Sequence, residues 1–305
     1  MKIAVLGAGA IGLLFGGLLS KKNDVTLVGR KAHIQAITKN GLKITGKTNL
    51  NVHISAVDSI SKIDSSLDLL ILTVKSYDTE TAINEAKNII ENNTIVLSLQ
   101  NGLDNIEKIC RIIDKKNVIS GVTTHGVFFS KSGLIKHTGT GETILGELNG
   151  KQTERIVNIV NCFNQSGIKT ILSRDISKEI WYKAIINSSI NPLTAIFECK
   201  NGYLLENPIL EKLVEKICKE SAMIANAEGV NISYESTLEK TKEIIRNTSG
   251  NYSSMLQSIR KGGKTEIDSI NGKLVEIGKK NNVETLFNEF LIYFVESYGR
   301  EYVTC

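Results

Sequence analysis

The first thirty residues constrain this chain more than any other part. Residues 2–6 spell KIAVL, a short apolar run. Gly7, Ala8, Gly9, Ala10, Ile11 and Gly12 follow as a G-x-G-x-x-G turn that opens a second apolar stretch. Another apolar run, residues 24–28, stops at Gly29-Arg30. A strand, a glycine turn, a helix and a second strand make a dinucleotide-binding unit. The first glycine of such a unit makes the tight turn. The second lets the pyrophosphate approach the backbone, and the third lets helix and strand pack closely. The helix start then offers free N–H groups and a positive dipole end to the phosphates. A carboxylate after the second strand would accept a hydrogen bond from a ribose 2′-hydroxyl and repel a 2′-phosphate. Here Arg30 and Lys31 stand at that point, with no acid, which favours NADPH. The alternative is a glycine turn with a purely structural role.

The first half of the chain continues this alternation. Residues 9–22 read as a helix, with Leu13, Leu14, Leu18 and Leu19 in a stripe near the 3.6 period. Residues 67–74 (LDLLILTV) are nearly all apolar, as a parallel strand buried on both faces requires. Residues 94–99 and 118–123 also read as strands, and helices are expected over 78–91 and 105–113. Residues 128–146 alternate with glycines and predict antiparallel strands or hairpins, which can extend the sheet. A helix over 153–165 and a strand over 170–173 follow. From residue 176 onward amphipathic helices dominate, and both prolines, Pro192 and Pro208, lie there. The expected fold is α/β: a Rossmann-type doubly wound domain over residues 1–172, then an all-α domain over residues 173–305.

Bulk properties narrow the function classes. A chain of 305 residues with 41% hydrophobic content is long enough for two buried cores. The net charge of +5 is spread thinly, with no dense basic block of the kind that binds nucleic acid. No apolar stretch approaches the roughly 20 residues of a membrane helix, and the N-terminus does not read as a signal peptide. Five cysteines, at 110, 162, 199, 218 and 305, form no C-x-x-C pair and are odd in number. Reduced thiols in a soluble, cytoplasmic protein are therefore expected. The four histidines, at 33, 53, 125 and 137, have no metal-ligand spacing, and no metal is expected.

Four constellations carry candidate chemistry. Thr73-Val-Lys75 and Gln100-Asn101-Gly102 end two expected parallel strands, the edge where open α/β sheets bind ligands. Lys75 and Asn101 are either cofactor contacts or a solvated lysine and an ordinary turn. In the helical half, Lys183, Asn187 and Asn191 are spaced four apart and share one helix face. Asparagine is a poor helix former. Two on one stripe mark either a binding surface or a solvated face of a Lys/Asn-rich chain. Last, Ser253-Ser254-Met255 is followed by Lys261-Gly-Gly-Lys264 and by Thr265-Glu266-Ile-Asp268. Thr265 can cap a helix there, which puts Glu266 in its first turn. Capping alone is the competing reading.

Taken together, these motifs resemble the ketopantoate reductases (2-dehydropantoate 2-reductases), and the likeness runs essentially end to end. Its specific elements are the N-terminal glycine turn, TVK, QNG, W-x-K-x3-N-x3-N-P-L-T-A with Asn201-Gly202 downstream, and S-S-M-x-Q followed by TEID. The resemblance implies hydride transfer from NADPH to the ketone of ketopantoate. It implies Lys183 and Glu266 as catalytic residues, and Asn187, Asn191, Asn201 and Ser254 as substrate contacts. It also implies Arg30 at the 2′-phosphate, Lys75 and Asn101 near the cofactor, and the segment with His125 and Val127 close to it. The residue types suit that reaction, because an ammonium can polarise a ketone oxygen and protonate it. Glu266 can orient a substrate hydroxyl and keep Lys183 charged. Competing readings are a reductase of another branched 2-oxo acid, a β-hydroxyacid dehydrogenase, in which TEID is not expected, and a non-catalytic NADPH sensor. The apolar faces of the helical half permit a homodimer without selecting one.

Overall fold

The computed structural model describes residues 1–301. Cys305 lies outside them. The chain divides into two compact units, Met1–Gln100 with Asn105–Ile176, and Asn101–Asp104 with the residues from Ser177 onward.

The first unit runs β1 (Lys2–Leu6), α1 (Ala10–Leu19), β2 (Asp24–Val28), α2 (Lys31–Asn40), β3 (Leu42–Gly46), β4 (Leu50–Val52) and β5 (Ser55–Val57). It continues through β6 (Leu69–Leu72), α3 (Thr79–Ala86), β7 (Ile95–Ser98), α4 (Asn105–Cys110) and β8 (Val118–Thr123). It ends with β9 (Gly126–Lys131), β10 (Leu134–Gly139), β11 (Thr143–Glu147), α5 (Glu154–Gln165) and β12 (Thr170–Leu172). The described strands form an eight-stranded sheet in the order β12-β11-β8-β7-β6-β1-β2-β5. Its stretch β5-β2-β1-β6-β7-β8 is parallel throughout, and only β8–β11 pairs antiparallel. This is the doubly wound order, with its switch point where β2 and β6 flank β1. Alternate residues serve the two faces. Ile3 and Val5 of β1 pack into one core with Leu69 and Ile71, while Ala4 and Leu6 pack into another with Leu70 and Leu72.

A second sheet, β4-β3-β10-β9, departs from the expected layout. The strands β9 and β10 belong to it, and only β11 extends the main sheet. Helix α1 touches β1 and β2 of the main sheet and β3, β9 and β10 of the second. It is therefore buried continuously from Gly12 to Leu19 and not along one stripe. A helix covered on all sides can be apolar on all sides, which explains the run IGLLFGGLL.

The second unit is helical. It comprises α6 (Ile176–Ile196), α7 (Tyr203–Glu206), α8 (Pro208–Ala227), α9 (Tyr234–Asn247), α10 (Ser254–Ile259), a π-turn over Asp268–Gly272, α11 (Lys273–Lys280) and α12 (Leu286–Glu301). Three apolar clusters meet along α6, which contributes Trp181 and Ile185 to the first, Ile186, Ile190 and Leu193 to the second, and Ala195 to the third. Among the described residues no helix is long and apolar enough to cross a membrane. The described cysteines, 110, 162, 199 and 218, are all free thiols.

Candidate active site

The glycine turn is built at the switch point. Gly7 follows β1 with φ +121, a left-handed conformation that disfavours any side chain. Its N–H donates to Val28 O at 2.9 Å, and Thr73 Oγ1 donates to its carbonyl at 2.8 Å. The turn is thus tied to both neighbouring strand ends. A Cβ on Gly12 would lie 1.9 Å from Gly7 O, so α1 can start this close only with glycine there. A Cβ on Gly9 would meet nothing within 4 Å. That space, beside a helix N-terminus with no side-chain cap, suits a pyrophosphate. The turn Gly7, Ala8, Gly9, Ala10, Ile11 and Gly12 therefore fits a dinucleotide by its own sterics.

Arg30 occupies the N-cap position of α2 and is exposed. Among the described residues its side chain has no hydrogen bond or ion pair, which leaves its charge available to an anion. Lys75 follows β6 across the switch point and is half-buried. Gln100 closes the same edge. Its Nε2 donates to Val74 O at 3.0 Å and to Thr79 Oγ1 at 2.7 Å, so it holds the ends of β6 and β7 together.

The segment after β8 carries a directed hydrogen-bond chain. Gly141 N–H donates to His125 Nδ1 at 3.3 Å, which makes that nitrogen an acceptor. His137 Nε2 then donates to it at 3.0 Å, and the Thr48 hydroxyl donates to His137 Nδ1 at 2.9 Å. Burial, with a smaller contribution from His137, pulls His125 down to about 4, so its ring is neutral. Val127, in β9, is half-buried and packs against the core around α1.

In the helical unit, Asn101 heads a short segment anchored by two bonds. Leu103 N–H donates to Ser269 O at 3.0 Å, and Ser269 Oγ donates to Asp104 Oδ2 at 3.2 Å. On α6 the stripe is not a solvated face. Lys183 and Asn187 are half-buried, and Asn191 is only 7% exposed. Loss of solvation pulls the Lys183 ammonium down to about 8, and the Glu266 charge opposes part of that fall. Glu266 itself is buried and stands just before the π-turn, with its carbonyl accepting Ile270 N–H at 3.2 Å. Thr265 does cap this start, accepting from Ile267 N–H at 3.4 Å. Buried Asn201 spends Nδ2 on Thr248 Oγ1 at 2.8 Å, and its Oδ1 has no partner among the described residues. The two serines of S-S-M divide their work. Ser253 is buried and caps α10, with Thr194 Oγ1 donating to its hydroxyl at 2.8 Å, while Ser254 is exposed.

Two family models cover most of the chain. Residues 3–150 match "Ketopantoate reductase PanE/ApbA", and residues 175–298 match its C-terminal counterpart. The chain belongs to the ketopantoate reductase family. The 2-dehydropantoate 2-reductase of Pyrococcus horikoshii is 42% identical over 294 residues, covering 96% of this chain and 95% of that protein. Among solved structures, a PanE/ApbA family ketopantoate reductase from Ralstonia eutropha superposes with a TM-score of 0.91 at 28% identity, over 99% of both chains. D-mandelate dehydrogenase with NADH and anilino(oxo)acetate superposes with a TM-score of 0.93 at 27% identity, also over 99% of both. The supporting residues of this ketopantoate reductase scaffold, Gln100, His137 and Ser253, carry no assigned role in the sequence reading. Gln100 and Ser253 stand inside quoted motifs, so their positions were visible and only their bonds were not.

Proposed function

We propose that this chain reduces the C2 ketone of 2-dehydropantoate to pantoate, with NADPH as hydride donor, in the cytoplasm. One observation carries the reading: an ammonium on a half-buried helix stripe, pulled down to about 8, beside a buried carboxylate. Such a group is charged at neutral pH yet gives up its proton readily. The cofactor, held by the Gly7–Gly12 turn with Arg30 at its 2′-phosphate and Lys75, Asn101 and Val127 nearby, supplies the hydride when bound. Lys183 polarises the ketone oxygen and hands it the proton from Nζ as negative charge develops, then regains a proton from solvent. Asn187, Asn191, Asn201 and Ser254 hold the substrate's hydroxyl and carboxylate. Asn201 Oδ1, an unused acceptor, suits the hydroxyl. Residues 1–172 bind cofactor in this reading, and residues 173–305 bind substrate and carry the proton donor.

Lys183 must be protonated to act. The rate kcat/KM is therefore expected to be flat below about 8 and to fall tenfold per pH unit above it. Glu266→Gln removes the charge that raises Lys183, so the basic limb moves to lower pH. A limb that stays in place, or moves up, contradicts the coupling.

Similarity to D-mandelate dehydrogenase favours one second reading, a 2-oxo acid with a different bulky substituent. Steady-state turnover of ketopantoate against the 2-oxo acid of mandelate, each with NADPH and NADH, decides between them. A higher kcat/KM for ketopantoate is expected. In the same assay Arg30→Ala should raise KM for NADPH roughly tenfold to a hundredfold, the worth of a charge-assisted phosphate contact. The KM for NADH should hardly change. An equal rise for both cofactors rules out the 2′-phosphate role.

A further inference from the structure

Pro192 lies inside α6 and has no N–H. The carbonyl four residues earlier, that of Ser188, therefore loses its helical donor. Ser188 is fully buried, five residues after Lys183 and next to Asn187, so water cannot replace the missing bond. The structure supplies a donor from elsewhere. Asn271 Nδ2 donates to Ser188 O at 3.3 Å. Asn271 sits in the π-turn that follows Glu266, and such turns recur at functional sites.

A chain of bonds fixes the direction of this amide. Glu220 Oε2 accepts the N–H of Phe287 at 2.9 Å, and Oε1 accepts that of Asn288 at 2.9 Å. Glu220 Oε1 also accepts from Asn288 Nδ2 at 2.7 Å, which leaves Asn288 Oδ1 facing Asn271. That oxygen takes one hydrogen of Asn271 Nδ2 at 2.9 Å, and the other hydrogen reaches Ser188 O. Asn271 and Asn288 are both fully buried, and Asn271 Oδ1 has no partner among the described residues. Both anchoring bonds therefore run through Nδ2, and a flipped amide would break them.

We propose that Asn271 is a positioning residue: its amide replaces the hydrogen bond that Pro192 removes, and so fixes the helix bearing Lys183 against the turn bearing Glu266. The role rests on the reading of Lys183 and Glu266 as the catalytic pair. Asn271 touches no substrate in this account and acts through that pair. Asn288 and Glu220 hold it in one orientation.

The test is kinetic, with ketopantoate and NADPH as probes. Asn271→Ala should lower kcat roughly 10-fold to 100-fold, the cost of a small misplacement of reacting groups, while KM for NADPH changes little. Loosening Glu266 from Lys183 should also move the basic limb of the pH profile to lower pH. Pro192→Ala returns an N–H opposite Ser188 O. The double variant Asn271→Ala/Pro192→Ala should therefore recover part of the lost kcat and return the limb toward its wild-type position. Unchanged kcat and limb in Asn271→Ala overturn the proposal. A loss of kcat with the limb unmoved and no recovery in the double variant also overturns it, since that is a merely structural effect. Should Asn271→Ala not fold, Asn271→Ser is read by the same criteria. Lys183→Ala separates the two levels: retained turnover there refutes the pair itself, whereas its loss beside wild-type behaviour in the Asn271 variants refutes only the positioning role.

Discussion

Lys183→Ala is expected to lower kcat for ketopantoate reduction by roughly 10² to 10⁴, the range of a positioned proton donor. The fold should tolerate the change. Desolvation already disfavours the Lys183 charge, so its loss removes an unfavourable term from the native state. The linkage sign makes this checkable. The folded value, about 8, lies below the ordinary 10.5, so the unfolded chain binds more protons between those limits. Stability therefore rises with pH across that window in the wild type. In Lys183→Ala the Lys183 contribution to that rise disappears. Urea melts at pH 7 and pH 10 read the effect directly. Lys183→Arg is not a milder version, because a guanidinium cannot give up its proton near neutrality. Near-normal turnover in the alanine variant would refute the assignment, whatever its stability.

The candidate site was more legible than the scaffold around it, for a physical reason. The glycine turn makes demands that are local in sequence, a left-handed residue at 7 and no Cβ at 12, and local demands leave local signatures. The stripe Lys183, Asn187 and Asn191 was visible because helical spacing alone aligns it. The second sheet was not. It joins β3, which precedes residue 47, to β10, which begins at Leu134, and β4, at three residues, is too short for its alternation to stand out in the sequence. The leucines of helix α1 form a stripe in the sequence, and the glycines and Phe15 between them give no sign that the second sheet covers the helix's remaining face. The bond from Asn271 to Ser188 had no sequence signal at all. It spans 83 positions, and the π-turn that carries Asn271 has no compositional mark. Pro192 was the one available hint, since an in-helix proline always leaves a carbonyl to be satisfied.

The glycine turn yields the second large effect, and it comes as a contrast. Gly12→Ala would drive a Cβ to 1.9 Å from Gly7 O and to 2.5 Å from Thr73 Oγ1. Neither neighbour can yield cheaply, because Gly7 is tied to Val28 and Thr73 and is itself hemmed in by Val74. The turn must open, at about 1–3 kcal/mol of stability for an overpacked core site. Cofactor affinity falls with it. Gly9→Ala is sterically free. Gly9 has φ −84 and ψ −170, extended backbone that alanine adopts, and its Cβ would meet no protein atom within 4 Å. Stability should therefore stay within about 0.5 kcal/mol of wild type. The new methyl group would enter the space proposed for the pyrophosphate, so the Kd for NADPH should rise at least roughly tenfold, on the order of 1.4 kcal/mol. Thermal melts without cofactor and NADPH fluorescence titrations separate the two variants. Tight NADPH binding in Gly9→Ala would mean that the phosphates do not cross the turn at Gly9. The uncapped start of α1 would then need another explanation.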